Sequence, residues 1–104
     1  MDNSFPKFSI ITVCFNAEDF IERAIKSVEA QTYKNFEYIV VDGQSEDKTI
    51  EKVSTYPIVS KIISARDNGI YHAMNRALGF ARGEVVYILN ADDQLYDENV
   101  LEVV

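Results

Sequence analysis

Apolar and polar positions follow two different patterns along this chain, one typical of strands and the other of helices. Four short runs are rich in β-branched and aromatic residues, and most of the segments between them repeat apolar residues every three or four positions. Strand–helix alternation with short connections predicts a parallel sheet, because parallel neighbours need crossover connections. The predicted strands cover residues 8–15, 36–41, 58–64 and 84–89.

The segments between the strands predict helices with recognisable ends. Residues 20–28 place their apolar side chains on one stripe, with charged residues mostly opposite. Side chains that accept hydrogen bonds from backbone amides precede several of these segments and favour helix starts there. The predicted helices are one capped by Asn16, one that starts at Ser45 or Asp47 and runs to about Ser54, one over 70–81 that stops at Gly83, and one that starts at Asp97 or Asn99.

These elements together predict an α/β fold, a Rossmann-like three-layer sandwich with a mainly parallel sheet. A length of 104 residues suits one small domain or a piece of a larger one. Because the sequence stops soon after its last predicted helix starts, we expect residues 1–104 to be the N-terminal part of a truncated domain.

Composition excludes several classes of partner. The net charge is −7 and no basic stripe is present, which argues against a nucleic-acid partner and against a polybasic membrane anchor. No segment has the ~18 consecutive apolar residues of a membrane span. Cys14 is the only cysteine, so it cannot form an internal disulfide, and its apolar neighbours favour a small buried residue over a nucleophile. A reducing, cytoplasmic location fits best.

Polar residues stand at or just beyond the ends of the predicted strands. Asn16 follows the first strand, Asp42 follows the second and Asp67 lies just past the third, while residues 90–93 follow the fourth. The carboxyl ends of parallel strands share one edge, where open α/β sheets bind ligands. We therefore expect these residues to converge on one site, although Asp42 could also simply begin an Asx turn that ends at Ser45.

The pair Asp92 and Asp93 indicates how that site could hold an anion. Neither of the glycine-rich phosphate loops, G-x-G-x-x-G or G-x-x-x-x-G-K-[ST], occurs in the chain. A bound diphosphate would then need a divalent cation held by oxygen ligands to supply positive charge. Asp92, which is separated from Asn90 by one residue, is the preferred metal ligand. Asp93 is either a neighbouring ligand or the group that orients Asp92.

Four segments carry motifs that cover nearly the whole chain. Residues 9–16 are SIITVCFN, residues 27–37 are SVEAQTYKNFE, and residues 40–49 are VVDGQSEDKT; DNGIYHAMN at 67–75 is followed by LNADD at 89–93. As a set they resemble the N-terminal half of a family 2 glycosyltransferase, the nucleotide-sugar-dependent, metal-using, inverting class with the A-type fold. The resemblance implies a sheet of the nucleotide-diphospho-sugar transferase type.

The resemblance also implies a role for each matching position. Arg66 and Asp67 would lie beside the nucleotide, and Asp42 would form a hydrogen bond with the base. Asn90, Ala91 and Asp92 would take the place of the D-x-D motif and contact ribose and metal. The residues that would line the base and ribose are Thr12, Val13, Phe15 and Asn16.

Three positions depart from the family pattern. Asn90 stands where the first Asp of D-x-D is usual, so it offers an oxygen but no charge. Gly43 replaces a frequent second Asp, and His72 stands where an acid is often found. The general base of the inverting reaction is expected beyond Val104, so the catalytic residue is unknown and turnover by this chain alone is not expected.

The implied function is transfer of a sugar, with inversion, from a nucleoside-diphosphate sugar to a glycan or lipid-linked acceptor. A UDP-sugar is the favoured donor and Mn²⁺ or Mg²⁺ the expected cofactor. Polysaccharide and cell-wall biosynthesis would be the setting, in the cytoplasm, with peripheral contact at the inner face of the membrane through parts outside this chain.

Three other functions are alternatives to glycosyl transfer. A non-catalytic nucleotide-sugar-binding remnant stays open because of Asn90. A phosphoacceptor signalling domain needs an acidic pair after its first strand, where this chain has Cys14, Phe15 and Asn16. A sugar nucleotidyltransferase needs a glycine-rich, basic loop there, and residues 16–19 are neither.

Overall fold

The fold is given by a computed structural model, which describes residues 7–64 and 69–91. Strands and helices alternate through these residues, as the hydrophobic pattern predicts. The elements in chain order are β1 (Phe8–Cys14), α1 (Ile21–Glu29), β2 (Phe36–Asp42), α2 (Thr49–Val53), β3 (Lys61–Ser64), α3 (Gly69–Phe80) and β4 (Val85–Asn90). The helix predicted to start at Asp97 or Asn99 lies outside the described residues.

The four described strands form one sheet in the order β3-β2-β1-β4, and every pairing is parallel. β1 is therefore central, with β2 on one side and β4 on the other. At its start, Phe8 pairs with Phe36 and with Val85. This confirms the predicted α/β architecture with a parallel sheet.

Helices cover the sheet on both faces because side chains alternate along each strand. On one face, Phe8 and Ile10 of β1 and Tyr38 of β2 belong to a core that includes the apolar stripe of α1. On the other face, Ile11 and Ile39 pack with Ala77 of α3. Within the described residues, no helix is both long enough and apolar enough to span a membrane.

The first helix starts later than the capping prediction has it. α1 begins at Ile21, and its N-cap residue, Phe20, makes no side-chain capping hydrogen bond. Asn16 does not cap it, because its Oδ1 accepts a hydrogen bond from the backbone N–H of Glu46, 2.8 Å away in the loop after β2. The side chain therefore joins two loops instead of ending a helix.

The other helix and strand starts shift for local reasons. α2 begins at Thr49, whose backbone N–H donates to Asp47 Oδ1 at 2.9 Å, so Asp47 precedes the helix and Ser45 does not start it. β3 is shorter than predicted because pairing with β2 begins only where Lys61 meets Ile39. Helix α3 occupies nearly the predicted residues.

The uninterrupted apolar run at residues 85–89 predicts that the fourth strand is buried, and this prediction is wrong. Only Leu89 of β4 is buried, while Val85, Val86 and Ile88 are exposed. β4 is the edge strand of the described sheet, and α3 packs mainly against β1, β2 and β3. An apolar run typical of a central parallel strand therefore stands at an edge in the described part of the chain.

A polar cluster closes the amino-terminal edge of the sheet. The Glu37 carboxylate accepts hydrogen bonds from Ser9 Oγ at 2.5 Å, from the Arg82 backbone N–H at 2.6 Å and from Arg82 Nε at 3.2 Å. The Gly83 N–H in turn donates to Ser9 Oγ at 2.8 Å. Burial alone would raise the pKa of Glu37, but the hydrogen bonds from Ser9 and Arg82 outweigh it and lower that pKa below its ordinary 4.5.

Replacing Gly83 with Ala should destabilise the fold by about 1–3 kcal/mol, the usual cost of overpacking. A Cβ at Gly83 would lie 2.5 Å from the backbone of Phe8 and Ser9, which cannot move without disturbing β1. Gly79→Ala is the matched control, because a Cβ there meets no heavy atom within 4 Å and alanine favours a helix. Urea denaturation of both variants tests this, and equal stabilities would contradict it.

Glu37 should make the stability depend on pH in the acid range. Because its pKa is lowered in the folded state, its contribution is present above about pH 4.5 and is lost as the pH falls through the folded pKa. Glu37→Gln should be less stable at pH 7 and should lose less stability between pH 7 and pH 3, as followed by urea denaturation. Glu84→Gln, at an exposed position, is the control. If Glu37→Gln loses as much stability between pH 7 and pH 3 as the wild type does, Glu37 is not the source of the pH dependence.

Candidate functional site

The parallel register brings the ends of all four described strands to the carboxyl edge of the sheet, where Asp42 also pairs with Ser64 of β3. Cys14 pairs with Asp42 of β2, and Val13 pairs with Asn90 of β4. The backbone continues this pattern past the strands, since the Gly43 N–H donates to the Cys14 carbonyl oxygen at 2.9 Å. Residues that are distant in sequence are therefore adjacent at this edge, as the convergence argument predicts.

Two cavities lined by residues within 7–64 and 69–91 open at the carboxyl edge, and Phe15 forms part of both walls. The smaller has a volume of about 260 Å³ and lies between the ends of β1 and β4. The larger has a volume of about 610 Å³ and lies beyond the ends of β2 and β3. Phe15 is 60% exposed between them. The smaller is lined by Val13, Cys14, Phe15, Asn16, Ala17, Phe20, Asn90 and Ala91, and the larger by Phe15, Asp42, Gly43, Gln44, Ser45, Glu46, Ile50 and Ser64.

Asp42 lies buried at the floor of the larger cavity, where it organises the loop after β2. Its Oδ2 accepts the Ser45 N–H at 2.8 Å, which is the Asx turn that the spacing allowed. Its Oδ1 accepts from Ser45 Oγ at 2.5 Å and from Cys14 Sγ at 3.4 Å. A hydrogen bond that Asp42 accepts from a base would therefore compete with the hydrogen bonds that the carboxylate already accepts.

Cys14 is a buried thiol with no sign of nucleophilic activation. Burial, followed by the negative charge and hydrogen-bond acceptance of Asp42, raises its pKa far above the usual range. A thiol held in this protonated form donates a hydrogen bond and does not attack. The interpretation of Cys14 as a small buried residue agrees with its burial.

The loops after β1 and β2 are joined by hydrogen bonds in both directions. The Ala17 N–H donates to Thr49 Oγ1 at 2.8 Å, and the Glu18 N–H donates to Asp47 Oδ2 at 3.2 Å. In return, the Lys48 N–H donates to Glu18 Oε1 at 3.1 Å. Burial would raise the pKa of Asp47, but hydrogen bonds from Thr49 and from backbone amides lower it, which keeps this carboxylate charged.

The structure brings together most of the predicted site residues that it describes. Val13, Phe15, Asn16, Asn90 and Ala91 line the smaller cavity, and Phe15 and Asp42 line the larger. Their contacts with a nucleotide stay predictions. Arg66, Asp67, Asp92 and Asp93 lie outside the described residues, so their predicted roles stay predictions as well.

Thr12 differs from the other predicted residues because its side chain lines neither cavity. It is fully buried, and its Oγ1 shares a hydrogen bond of 2.7 Å with the hydroxyl of Tyr38. Burial raises the pKa of Tyr38 to about 12, so that hydroxyl stays protonated. The Thr12 side chain therefore satisfies a polar group in the core beneath the site, which the strand motif alone did not indicate.

Within residues 7–64 and 69–91, no cluster of three acidic, histidine or cysteine side chains could hold a metal. Of the predicted ligands Asn90, Asp92 and Asp93, only Asn90 is described, and it is exposed at the wall of the smaller cavity. An exposed amide oxygen at this edge fits one ligand of a cation that prefers oxygen.

Sequence reasoning missed several lining residues. Gln44 and Ser64 line the larger cavity, and Phe20 lines the smaller. Ser64 could have been found as the last residue of the third strand, by the argument applied to the others. Gln44 carried no such signal, since its position depends on a backbone φ of 61° within the turn.

A family comparison agrees with this geometry. The family model described as glycosyl transferase family 2 matches residues 9–104, which is most of the chain. The chain belongs to glycosyl transferase family 2. The assignment confirms the resemblance carried by the four motifs, and it removes the phosphoacceptor and nucleotidyltransferase alternatives.

Curated relatives are glycosyltransferases. A PGL/p-HBAD biosynthesis glycosyltransferase of Mycobacterium bovis (strain BCG / Pasteur 1173P2) is 35% identical over 100 residues, which cover 92% of this chain and 39% of the relative. A glycosyltransferase of Haemophilus influenzae is 37% identical over 92 residues, covering 85% of this chain and 28% of the relative. The chain thus spans about two fifths or less of the length of these relatives.

Solved structures show the same fold. The chain is similar to Staphylococcus aureus TarS (residues 1–349) in complex with UDP-GlcNAc, with a TM-score of 0.84 and 29% identity over 93% of this chain and 29% of that one. It is also similar to the mannosyltransferase PcManGT of Pyrobaculum calidifontis in complex with GDP-Man and Mn²⁺, with a TM-score of 0.79 and 29% identity over 93% of this chain and 31% of that one. The nucleotide-sugar transferase type of sheet is confirmed.

Proposed function

We propose that this chain is the nucleotide-sugar-binding part of a metal-dependent, inverting glycosyltransferase that favours a UDP-sugar donor. The observation that carries the proposal is the pair of cavities that share Phe15 at the carboxyl edge of the sheet. Similar chains have been solved with UDP-GlcNAc, or with GDP-Man and Mn²⁺, which supports a nucleotide sugar as the ligand class.

The larger cavity suits the base. Phe15 offers an exposed aromatic side chain, and the lining also includes acceptors and donors from Asp42, Gln44 and Ser64. A flat apolar wall facing a few polar groups is the usual way in which a pocket orients a planar heterocycle. Gly43, where a second acid is frequent in the family, leaves Asp42 without an adjacent carboxylate in the sequence.

The smaller cavity suits the ribose and the start of the diphosphate. Asn90 is exposed on its wall, next to Ala91, and the predicted ligands Asp92 and Asp93 follow directly in sequence. Asn90 would offer its amide oxygen to the ribose or the cation, while the two carboxylates would carry the charge that holds the cation. When bound, Mn²⁺ or Mg²⁺ would neutralise the negative charge that develops on the departing nucleoside diphosphate.

The reaction itself would need groups from the rest of the protein. An acceptor hydroxyl on a glycan or lipid-linked molecule would be deprotonated by a carboxylate beyond Val104 and would attack the anomeric carbon, so that the configuration inverts. The chain would supply the binding of the donor. Polysaccharide or cell-wall synthesis in the cytoplasm, at the inner face of the membrane, is the proposed setting.

Calorimetric titration of UDP with and without Mn²⁺ tests this function. We expect Mn²⁺-dependent binding to the wild type and a loss of at least about tenfold in affinity, or about 1.4 kcal/mol, for Asp92→Ala. Glu84→Ala, which removes an exposed carboxylate at the opposite edge of the sheet, is the matched control and should bind as the wild type does.

UDP binding that does not depend on Mn²⁺, or that is unchanged in Asp92→Ala, would refute the proposed role of the metal in donor binding. Absence of binding to UDP and GDP by the whole protein would refute nucleotide binding. Binding by a whole protein that transfers no sugar would instead favour the non-catalytic remnant, for which the departure at Asn90 is the motivating observation.

A further inference from the structure

Two hydrogen bonds clasp the loop after β1 to the loop after β2. The Asn16 backbone N–H donates to Ser45 Oγ at 2.8 Å. In the other direction, the Glu46 backbone N–H donates to Asn16 Oδ1, also at 2.8 Å. We name these two bonds between Asn16 and residues 45–46 the loop clasp. Because each loop donates once and accepts once, neither can shift along the other without breaking a bond.

The clasp is anchored to the end of β2. Ser45 Oγ accepts from Asn16 and donates its own proton to Asp42 Oδ1 at 2.5 Å, while Asp42 Oδ2 holds the Ser45 N–H at 2.8 Å. Asp42 is fully buried and also accepts from the Cys14 thiol at the end of β1. A hydrogen bond to a charged, buried acceptor is stronger than one between neutral groups. The loop clasp is thus fixed to the rigid sheet.

Backbone strain at both sides of the clasp indicates that it serves more than folding. Asn16 has a φ of 47° and Gln44 has a φ of 61°, the two positive values among the described residues other than glycine. Left-handed backbone is uncommon outside glycine, although Asn tolerates it. Such strain persists where surrounding bonds determine the conformation, and it concentrates at ligand sites.

The residue held by this arrangement is Phe15. It directly precedes Asn16, is 60% exposed, and lines both cavities. An exposed aromatic side chain has few packing contacts of its own to fix it. The direction in which its side chain leaves the backbone therefore depends on residues 15 and 16, which the clasp helps to hold.

We infer that Asn16 and Ser45 are positioning residues, which hold Phe15 as the fixed wall between the two cavities. The inference rests on the proposed nucleotide binding and adds a role that the motifs did not indicate. Asn16 is predicted to line the base and ribose, and its side-chain oxygen already accepts the Glu46 N–H. Its contribution to affinity would come from preorganisation, since a wall fixed before binding costs less to order.

Three variants isolate the clasp. Asn16→Gly removes the side-chain acceptor and keeps the left-handed backbone accessible. Ser45→Ala removes the hydroxyl, and Ser45→Thr restores it. We expect Asn16→Gly and Ser45→Ala each to weaken UDP binding about tenfold. The double variant should lose little more affinity than either single variant, and Ser45→Thr should bind UDP nearly as the wild type does. The shared loss follows because both act through one clasp.

Two controls separate positioning from stability. Ser54→Ala removes an exposed hydroxyl that donates to the Ile50 carbonyl oxygen at 2.8 Å in α2, and it should leave UDP affinity unchanged. Gly83→Ala should lower stability at the opposite edge and still bind UDP when folded. If Gly83→Ala loses affinity as Ser45→Ala does, or if additive losses appear in the double variant, the positioning role is wrong.

A measurement without ligand keeps the clasp testable if UDP fails to bind. The backbone amide order parameter of Phe15, from ¹⁵N relaxation, should be near the ~0.85 of rigid backbone in the wild type and should fall below about 0.6 in Ser45→Ala. An unchanged value in Ser45→Ala would overturn the inference. A wild type that binds no nucleotide, with the order parameter responding as expected, would refute the proposed function and leave the clasp supported.

Discussion

The parallel pairing of β1 with both of its neighbours is the constraint on which the rest of the structure depends. Its register sets Cys14 opposite Asp42 and Val13 opposite Asn90. A shift by one residue would turn the core side chains of β1 to the other face and separate these strand ends. The backbone hydrogen bonds of one central strand therefore determine both the two-sided core and the place where the site forms.

The two edges of the sheet differ in how closely their groups pack. At the amino-terminal edge, the Glu37 carboxylate accepts hydrogen bonds from Ser9 and Arg82. Gly83 allows the chain to pass close to β1 because it has no Cβ. At the carboxyl edge, the loops bond mainly to each other, which leaves cavities on both sides of Phe15. Tight packing at the amino-terminal edge gives a rigid scaffold. Loops on a rigid scaffold at the open edge are the usual place for binding residues.

Sequence reasoning predicted the strand–helix order, the parallel sheet and the edge where the described candidate residues meet, because these depend on local apolar periods and on topology. It did not predict what Asn16 and Thr12 do. Asn16 has the chemistry of a helix cap, but its Oδ1 bonds Glu46, 30 residues away in sequence. Thr12 lies in the right strand and faces the core, where it meets Tyr38. In both cases the side chain forms a hydrogen bond with a group far away in sequence, a backbone N–H for Asn16 and a side-chain hydroxyl for Thr12. A local sequence pattern does not encode such bonds.

A nucleoside diphosphate bound at the carboxyl edge of the sheet would occupy the two cavities beside Phe15. Mapping of ¹⁵N amide chemical shifts during titration with UDP and Mg²⁺ locates the site directly, and Mg²⁺ is chosen because it is diamagnetic. We expect chemical shift changes at Phe15, Asn16, residues 43–46 and Asn90, with little change at Phe8, Phe36 and Val85 at the opposite edge. Shifts concentrated at the opposite edge or on the helices, with residues 15–16 and 43–46 unaffected, would contradict it.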